Sequence, residues 1–367
     1  MRSAFPLLVL LLAPFAAFAQ PPKAGALKND PAILRILEEA RKDHDLPAIA
    51  AAVVTSQGMK SVAVVGVRER GKPEAITFDD KFHIGSNTKM MTAYVLATLV
   101  EKKKLDWTTP LEKLLPKDVK SMSAEQKQIT LAQLTSHQAG FDTNPAAGWW
   151  SFQKNGSAAQ LRAQALEALL KEKAVAKPGE KFAYSNISYV IAGIVSEKAA
   201  GKDWEVLMQD EIFKPLGMKS AGFGVPGTTT GPASQPRGHN EKCEVRPSED
   251  NPPLMGPAGT VHVSIVDWSK YAVDMLKGAR GEKARLKPMS YARLLSTPFA
   301  SKGYAVGGWG GGPEVYSHNG SNTLNYATIR MEPGSDFAIL VATNQGGDPG
   351  RKAVEEVVRR LVALQKK

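Results

Sequence analysis

Apolar, β-branched residues cluster in pairs of short runs near both ends of the chain. The runs 48–55 and 59–67 are separated by a Ser-Gln-Gly turn, which is typical of an antiparallel hairpin. The runs 323–331 and 337–343 flank a turn that contains Pro-Gly. These runs predict strands, and we expect one antiparallel sheet built from both ends of the chain.

Other apolar residues recur at the spacing of helices. The segment 86–105 is rich in apolar residues and carries a charged Glu-Lys-Lys-Lys run near its end. Apolar residues within 161–170 and 187–195 mark two further helices, and 354–361 predicts a closing helix with its apolar residues at i, i+3, i+4 and i+7. Near the N-terminus, Asp30 followed by proline is a typical helix start.

The order of these elements predicts an α+β fold, in which helices flank the sheet and a mainly helical domain is inserted. Residues 30–80 and 255–367 are expected to form the sheet domain, and residues 81–254 the helical domain, with the active site at their interface. The segment 228–259 is rich in Gly, Pro, Thr and Asn and predicts a long loop. A loop of that length in a compact protein is usually functional or mobile.

The first residues predict an export signal. Arg2 supplies a positive charge, 7–12 is an apolar run, and 17–19 fits a small-x-small cleavage site. The apolar stretch is too short to serve as a membrane anchor. We therefore expect cleavage after Ala19, a periplasmic or secreted protein without stable membrane insertion, and a mobile lead-in over 20–29.

Composition argues against several classes of function. The chain carries 47 Lys and Arg against 36 Asp and Glu, but the basic residues are scattered and do not form a stripe with aromatics, so we expect no nucleic-acid partner. Cys243 is the single cysteine, which excludes an intramolecular disulfide. The six histidines are dispersed, so we expect neither a metal nor another cofactor. A Gly-x-Ser-x-Gly elbow, typical of Ser-His-Asp hydrolases, is absent from the sequence.

Ser86 and Lys89 are the candidates for nucleophilic catalysis. Three residues apart on a helix, they lie on one face, within reach of each other. Unpaired N–H groups at the helix start can stabilise an anion. The apolar residues after Lys89 favour a desolvated amine, which can lose its proton near neutral pH. The alternative is an N-cap serine with a surface lysine. The second Ser-x-x-Lys pattern, at 151–154, is not followed by an apolar helix, so Ser86 is the favoured nucleophile.

Two further short motifs carry suitable polar groups. Tyr184 and Asn186, two residues apart in an extended segment, can face one cleft and supply a proton-transfer group and an orienting amide. His318 can present a polar group on a strand beside the nucleophile, Gly320 allows a substrate backbone to approach, and the N–H of Ser321 can complete an oxyanion hole. Taken alone, the Tyr-x-Asn motif is more typical of a partly buried tyrosine and a turn asparagine, and the His-x-Gly motif is also compatible with a polar hairpin turn.

In this order, Ser-x-x-Lys at 86–89, Tyr-x-Asn at 184–186 and His-x-Gly at 318–320 resemble the class C-like branch of the serine β-lactamase, penicillin-binding protein and esterase superfamily. The resemblance implies a β-lactamase/transpeptidase-like fold. It also implies a serine hydrolase that cleaves an ester or amide through an acyl-enzyme on Ser86.

The resemblance further implies a role for each site residue. Ser86 would attack the carbonyl, while Lys89 and Tyr184 share the proton transfer. The N–H groups of Ser86 and Ser321 would hold the oxyanion, and Asn186 would orient the substrate together with the histidine of the third motif.

His318 departs from the pattern of class C β-lactamases, which usually carry Lys-Thr-Gly at the third motif. A neutral histidine anchors an anion less firmly than an ammonium group. A broad serine hydrolase is therefore favoured, with a D,D-peptidase or a β-lactamase as alternatives. A non-catalytic penicillin-recognising protein is the alternative of another class. In each case we expect a monomer whose partner is a small-molecule or peptide acyl substrate.

Overall fold

The structure is a computed structural model that describes residues 27–152, 155–297 and 303–366, so the predicted export signal over 1–19 lies outside the described residues. Within these ranges the chain forms nine strands and twelve α-helices. The strands are β1 (Ala48–Thr55), β2 (Gly58–Gly66), β3 (Lys81–His83), β4 (Gly222–Phe223), β5 (Val261–Ser264), β6 (Gly310–Gly312), β7 (Val315–Ser321), β8 (Tyr326–Glu332) and β9 (Phe337–Thr343). The helices are α1 (Pro31–Asp43), α2 (Thr88–Glu101), α3 (Leu111–Leu114), α4 (Ala124–Lys127), α5 (Leu131–Thr135), α6 (Ala158–Leu170), α7 (Asn186–Ala200), α8 (Trp204–Met208), α9 (Gly256–Gly259), α10 (Ile265–Ala279), α11 (Pro288–Leu294) and α12 (Gly347–Gln365). Across the described ranges, no helix is both long and apolar enough to cross a bilayer.

The main sheet joins the two ends of the chain. It is antiparallel, and its order over the described residues is β2-β1-β9-β8-β7-β6. β1 pairs with β2 through the predicted hairpin and with β9 on its other side, where Ala50 lies opposite Ala342. The predicted α+β fold, with one antiparallel sheet built from both chain ends, is therefore confirmed.

Helices cover both faces of this sheet. On one face α1 and α12 contribute Leu37 and Val357 to a cluster with Ile49 of β1. On the other face α10 contributes Trp268 to the cluster that contains Ala50. Because β1 is buried on both faces, its sequence is an unbroken apolar run and does not alternate with polar residues.

The predicted mobile lead-in over 20–29 is fixed at its last residue. The side chain of Asn29 donates to the Val64 carbonyl at 3.2 Å and accepts from the Val64 N–H at 2.8 Å. β2 is an edge strand, so Asn29 satisfies backbone groups that would otherwise be unpaired. Residues 20–26 lie outside the described part of the chain.

A second, small sheet precedes the candidate nucleophile. β3, β5 and β4 form it in that order, all antiparallel. These strands are too short to leave a readable periodicity in the sequence, which explains why the pattern does not predict them. Ile84, the residue after β3, donates its N–H to the Val261 carbonyl at 2.9 Å. The small sheet thus holds the chain directly before Ser86.

The helix that the sequence predicts from Ser86 begins at Thr88. Residues 85–87 form a 3-10 turn, in which Gly85 has a φ of +50°, a conformation that favours glycine. The Thr88 hydroxyl donates to the Gly85 carbonyl at 2.7 Å and accepts from the Val261 N–H at 3.1 Å. The nucleophile candidate therefore lies in a turn before the helix, where its side chain is partly exposed.

The predicted loop over 228–259 is only partly irregular. Its last four residues form α9, preceded by a 3-10 turn at Pro253–Met255. Residues 224–252 consist of turns, bends and isolated bridges, as the composition predicts.

The end of β7 packs directly on the turn that contains Ser86. A Cβ atom on Gly320 would lie 2.0 Å from the Ile84 carbonyl oxygen and 2.7 Å from the Ser86 nitrogen. A Cβ atom on Gly85 would lie 2.3 Å from the Ser321 nitrogen. Only glycine at both positions lets the two backbones come this close. The backbone that lies close to Gly320 is thus the chain's own turn before α2. That a substrate backbone also approaches Gly320 stays a prediction.

We expect Gly320→Ala to lower the free energy of unfolding by about 1–3 kcal/mol, because the added methyl group must displace backbone atoms. Gly312→Ala, where a Cβ atom would meet nothing within 4 Å, is the control. It should change the free energy of unfolding by less than about 0.5 kcal/mol. Urea denaturation measures both values, and equal values would contradict the packing described here.

Candidate active site

The turn that carries Ser86 is held by the asparagine that follows it. The Asn87 amide donates to the Ile84 carbonyl at 2.8 Å and to the Ala327 carbonyl of β8 at 3.1 Å. Asn87 is fully buried, so these bonds are shielded from water. The turn is therefore fixed both to itself and to the main sheet.

The amine of Lys89 has three oxygen neighbours. Its Nζ lies 3.1 Å from the Ser86 Oγ, 2.8 Å from the Asn186 Oδ1 and 2.7 Å from the Ala258 carbonyl oxygen. The last two oxygens can only accept hydrogen bonds, so each takes one N–H. A neutral amine then keeps its lone pair for the Ser86 hydroxyl. Lys89 is fully buried, and burial lowers its pKa well below the usual lysine value, which favours this neutral form.

Tyr184 and Asn186 are presented by the start of α7. Both are held by Thr143, whose hydroxyl donates to the Tyr184 carbonyl and whose own carbonyl accepts the Asn186 N–H, each at 2.9 Å. Asn186 is the first residue of the helix, whereas the sequence predicts an extended segment, because Ser185 caps the helix.

Tyr184 is placed beside both members of the first motif. Its ring centroid lies 4.9 Å from the Lys89 Nζ. Burial raises the pKa of Tyr184 to about 12, although its hydrogen bond with Ser86 acts in the opposite direction. The phenol is therefore protonated at neutral pH and can donate a proton.

His318 lies on β7, in the part of this strand that extends beyond its pairing with β6. β6 pairs only with residues 315–317 of β7, so the strand beyond them lies beside the turn that carries Ser86. The His318 Nε2 lies 2.9 Å from the Tyr304 hydroxyl. Burial, together with the nearby Lys89, lowers the pKa of His318 to about 3. The imidazole is therefore neutral at physiological pH.

All seven candidate residues consequently surround one site. The Ser321 nitrogen adjoins Gly85, so the N–H groups of Ser321 and Ser86 belong to two backbones in direct contact.

The second Ser-x-x-Lys copy differs, because the Ser151 hydroxyl donates to the Gly148 carbonyl at 2.7 Å and Lys154 lies outside the described residues. Cys243 is not part of this group of residues, and its Sγ accepts a hydrogen bond from the Arg70 Nε at 2.6 Å.

His137 is a site residue whose role could not be predicted from the sequence. Its Nδ1 accepts the Ser185 N–H at 3.0 Å, and its ring centroid lies 4.3 Å from that of Tyr184 and 4.7 Å from that of Tyr304. Burial, followed by the effect of Lys89, lowers the pKa of His137 well below its usual value. The ring therefore acts as a neutral support for the segment that carries Tyr184. In the sequence, His137 ends a Leu-Thr-Ser-His segment at 134–137 that resembles the same superfamily, but this resemblance assigns the histidine no role.

The chain is similar to a fungal hydrolase and to a bacterial penicillin-binding protein. Unguisins hydrolase ungD' of Aspergillus campestris is 26% identical over 290 residues, which cover 73% of this chain and 53% of that protein. This chain thus spans about half the length of the fungal relative. Penicillin-binding protein 4 of Amycolatopsis lactamdurans is 25% identical over 336 residues, which cover 83% of each chain.

The fold is that of a solved β-lactamase. The crystal structure of a class C beta lactamase from Rhodobacter sphaeroides matches with a TM-score of 0.69 and 18% identity, over 91% of this chain and 100% of that one. This match confirms the β-lactamase/transpeptidase-like fold that the motifs predict. The Beta-lactamase family model matches residues 33–364, nearly the whole described chain, and the protein therefore belongs to the Beta-lactamase family.

Proposed function

We propose that the protein is a serine hydrolase that cleaves an ester or amide through an acyl-enzyme on Ser86. The observation that supports this most directly is the environment of the Lys89 amine. Two acceptor-only oxygens take its two N–H groups, and the Ser86 hydroxyl is its third neighbour. An N-cap serine with a surface lysine would not place a fully buried amine beside the hydroxyl.

In the proposed reaction Lys89 accepts the proton of Ser86 as the oxygen attacks the carbonyl carbon. The carbonyl oxygen becomes an oxyanion, which the N–H groups of Ser86 and Ser321 stabilise. Tyr184, whose phenol is protonated, donates its proton to the leaving group as the bond to the acyl carbon breaks. The tyrosinate then regains a proton from the ammonium of Lys89, and the acyl group remains on Ser86.

Water completes the proposed cycle. A water molecule attacks the acyl-enzyme carbonyl and gives up a proton to the same basic groups, and a second oxyanion forms at the same N–H groups. Collapse of this intermediate releases the acid and returns the proton to Ser86. Asn186 and His318 orient the substrate beside these groups.

The neutral state of His318 supports a preference for neutral substrates. A β-lactam or a free D,D-peptide carries a carboxylate, which an ammonium group would bind more firmly than a neutral imidazole. At this position the described residues provide His318 and the Tyr304 hydroxyl, both uncharged at neutral pH. We therefore place esters and neutral amides first, with D,D-peptidase and β-lactamase activity as the alternative.

Several features of the whole protein remain proposals. Export with cleavage after Ala19 is supported by the sequence pattern of the first residues. A division into a sheet domain (30–80 and 255–367) and a mainly helical domain (81–254) is supported by the six-stranded sheet, whose strands all lie in the first two ranges, although β3 and β4 of the third range pair with β5. A monomer is the simplest state for such a site, since all seven candidate residues come from one chain.

Ser86→Ala should abolish labelling by a fluorophosphonate and the hydrolysis of p-nitrophenyl esters. Lys89→Ala should reduce both nearly as much, by about 1,000-fold or more, because residues that act as one unit are not additive. Ser151→Ala, in the second copy of the motif, is the matched control and should keep wild-type activity. Mass spectrometry of the labelled protein checks the site. Near-normal turnover by Lys89→Ala would exclude the proposed base, and an unlabelled, inactive wild type would favour the non-catalytic binding protein.

The rate of acylation should reach its plateau well below the pH at which an ordinary lysine loses its proton, and should fall at more acidic pH. Lys89 must be neutral to accept the proton, and burial lowers its pKa, so the neutral form is reached at a lower pH than for an exposed lysine. The pKa of Tyr184, about 12, keeps the phenol protonated in the same range. Stopped-flow acylation between pH 5 and 10 measures the profile. Tyr184→Phe should lower the plateau and keep the acid limb. A rate that rises steadily up to pH 10 would show that the lysine is not desolvated in solution.

A matched pair of substrates should reveal the preference for neutral groups. We expect the C-terminal methyl ester of an acylated D-Ala-D-Ala peptide to be cleaved at its peptide bond with a higher kcat/KM than the free acid. His318→Lys should reverse the order by about tenfold or more in favour of the acid, because an ammonium group then faces the carboxylate. Peptide-bond cleavage is followed by chromatography of the released amino acid. An unchanged ratio would show that this position does not contact the carboxylate.

A further inference from the structure

Asp250 connects the two backbones that border the proposed oxyanion hole. It lies in the loop that precedes α9, and its side chain is only 9% exposed. Its Oδ1 lies 3.1 Å from the Nε2 of His83 and accepts a hydrogen bond from the Asn322 amide at 2.8 Å. These two neighbours belong to segments far apart in the sequence.

On one side the connection reaches the turn of the nucleophile. The Nδ1 of His83 accepts the N–H of Gly85 at 3.1 Å, and Gly85 directly precedes Ser86. An Nδ1 that accepts is unprotonated, so the ring proton is on Nε2, the nitrogen that faces Asp250. His83 is fully buried, so its ring has little freedom to turn.

On the other side the connection reaches the end of β7. Asn322 is buried and directly follows Ser321. Its Oδ1 accepts the N–H of Asn325 at 2.9 Å, which fixes the turn between β7 and β8. The amide therefore holds its own turn with one end and Asp250 with the other.

The side chain of Asp250 is ionised, and this connection requires a carboxylate that accepts hydrogen bonds. Burial alone would raise the pKa of the carboxyl, but the proximity of His83 and the hydrogen bonds from Asn322 and the Asn251 N–H lower it. The group is therefore a carboxylate at neutral pH, and its Oδ1 accepts hydrogen bonds from the Asn322 amide and the Asn251 N–H, while the His83 Nε2 lies 3.1 Å away. Its connections reach both candidate oxyanion donors, each through the adjoining residue.

We propose that Asp250 is a positioning residue for the oxyanion hole. It fixes the Ser86 turn, through His83, relative to the end of β7, through Asn322. Donors in such a site must be held within about 0.5 Å of the productive geometry, and this connection adds to the close packing of glycines and to the Asn87 hydrogen bonds that join the turn to the main sheet. This inference rests on the proposed acyl-enzyme function, because the oxyanion exists only in that reaction.

Asp250→Ala should lower kcat for a p-nitrophenyl ester about 10- to 100-fold, less than the loss of an oxyanion donor itself, with KM within about threefold. Asp250→Asn keeps an acceptor oxygen at the same place and should lose less. Glu249→Gln is the matched control, because Glu249 is the exposed neighbour in the same loop, and should keep wild-type kinetics. Asn322→Ala removes the second connection and should resemble Asp250→Ala, which keeps the test open if the latter does not fold.

A thionoester of the same acyl group separates positioning from a general structural role. Sulfur is larger than oxygen and accepts hydrogen bonds weakly, so an intact oxyanion hole favours the ester over the thionoester. The ratio of kcat/KM for ester over thionoester should fall about tenfold in Asp250→Ala and stay at the wild-type value in Glu249→Gln. A folded Asp250→Ala protein that keeps the wild-type ratio would overturn the proposal. A wild type that does not acylate at Ser86 would instead overturn the proposed function.

Discussion

The desolvated amine of Lys89 is the interaction on which the site depends. An ammonium group in full burial is costly unless it is neutralised or paired with a carboxylate. Here its close neighbours are a hydroxyl, an amide oxygen and a backbone carbonyl, none of which carries a charge. The free energy of burial is therefore lowest when the amine gives up its proton. The packing of α2, α7 and α9 around Lys89 thus supports the proposal that its amine acts as the base.

A second constraint is the distance between backbones. The turn before α2 and the end of β7 approach so closely that a Cβ atom at Gly85 or Gly320 would overlap the neighbouring main chain. Hydrogen bonds from Asn87 to Ile84 and Ala327 hold the same contact. Rigid backbone N–H groups are suited to an oxyanion, because their direction does not depend on flexible side chains.

Most of the fold could be predicted because its elements leave local patterns. The hairpin at 48–67 and the strands near the C-terminus are marked by short apolar runs, and α2, α6, α7 and α12 by apolar residues at helical spacing, whereas the long helix α10 is not predicted. The turn at 85–87 and the two-residue strand β4 leave no such pattern, so neither is predicted. The start of α7 at Asn186 differs from the predicted extended segment because a cap by Ser185 looks the same in a loop and at a helix end.

The local chemistry can be read from the sequence alone: a serine and a lysine three residues apart, and two later motifs whose order resembles a known superfamily. The solvation and protonation of these groups depend on tertiary packing. Segments separated by tens to hundreds of residues decide whether Lys89 is buried and whether His318 is neutral. The same holds for the support that His137, Tyr304 and Asp250 give to the site. Solvation and hydrogen bonding arise from that packing, and composition or spacing along the chain does not encode them.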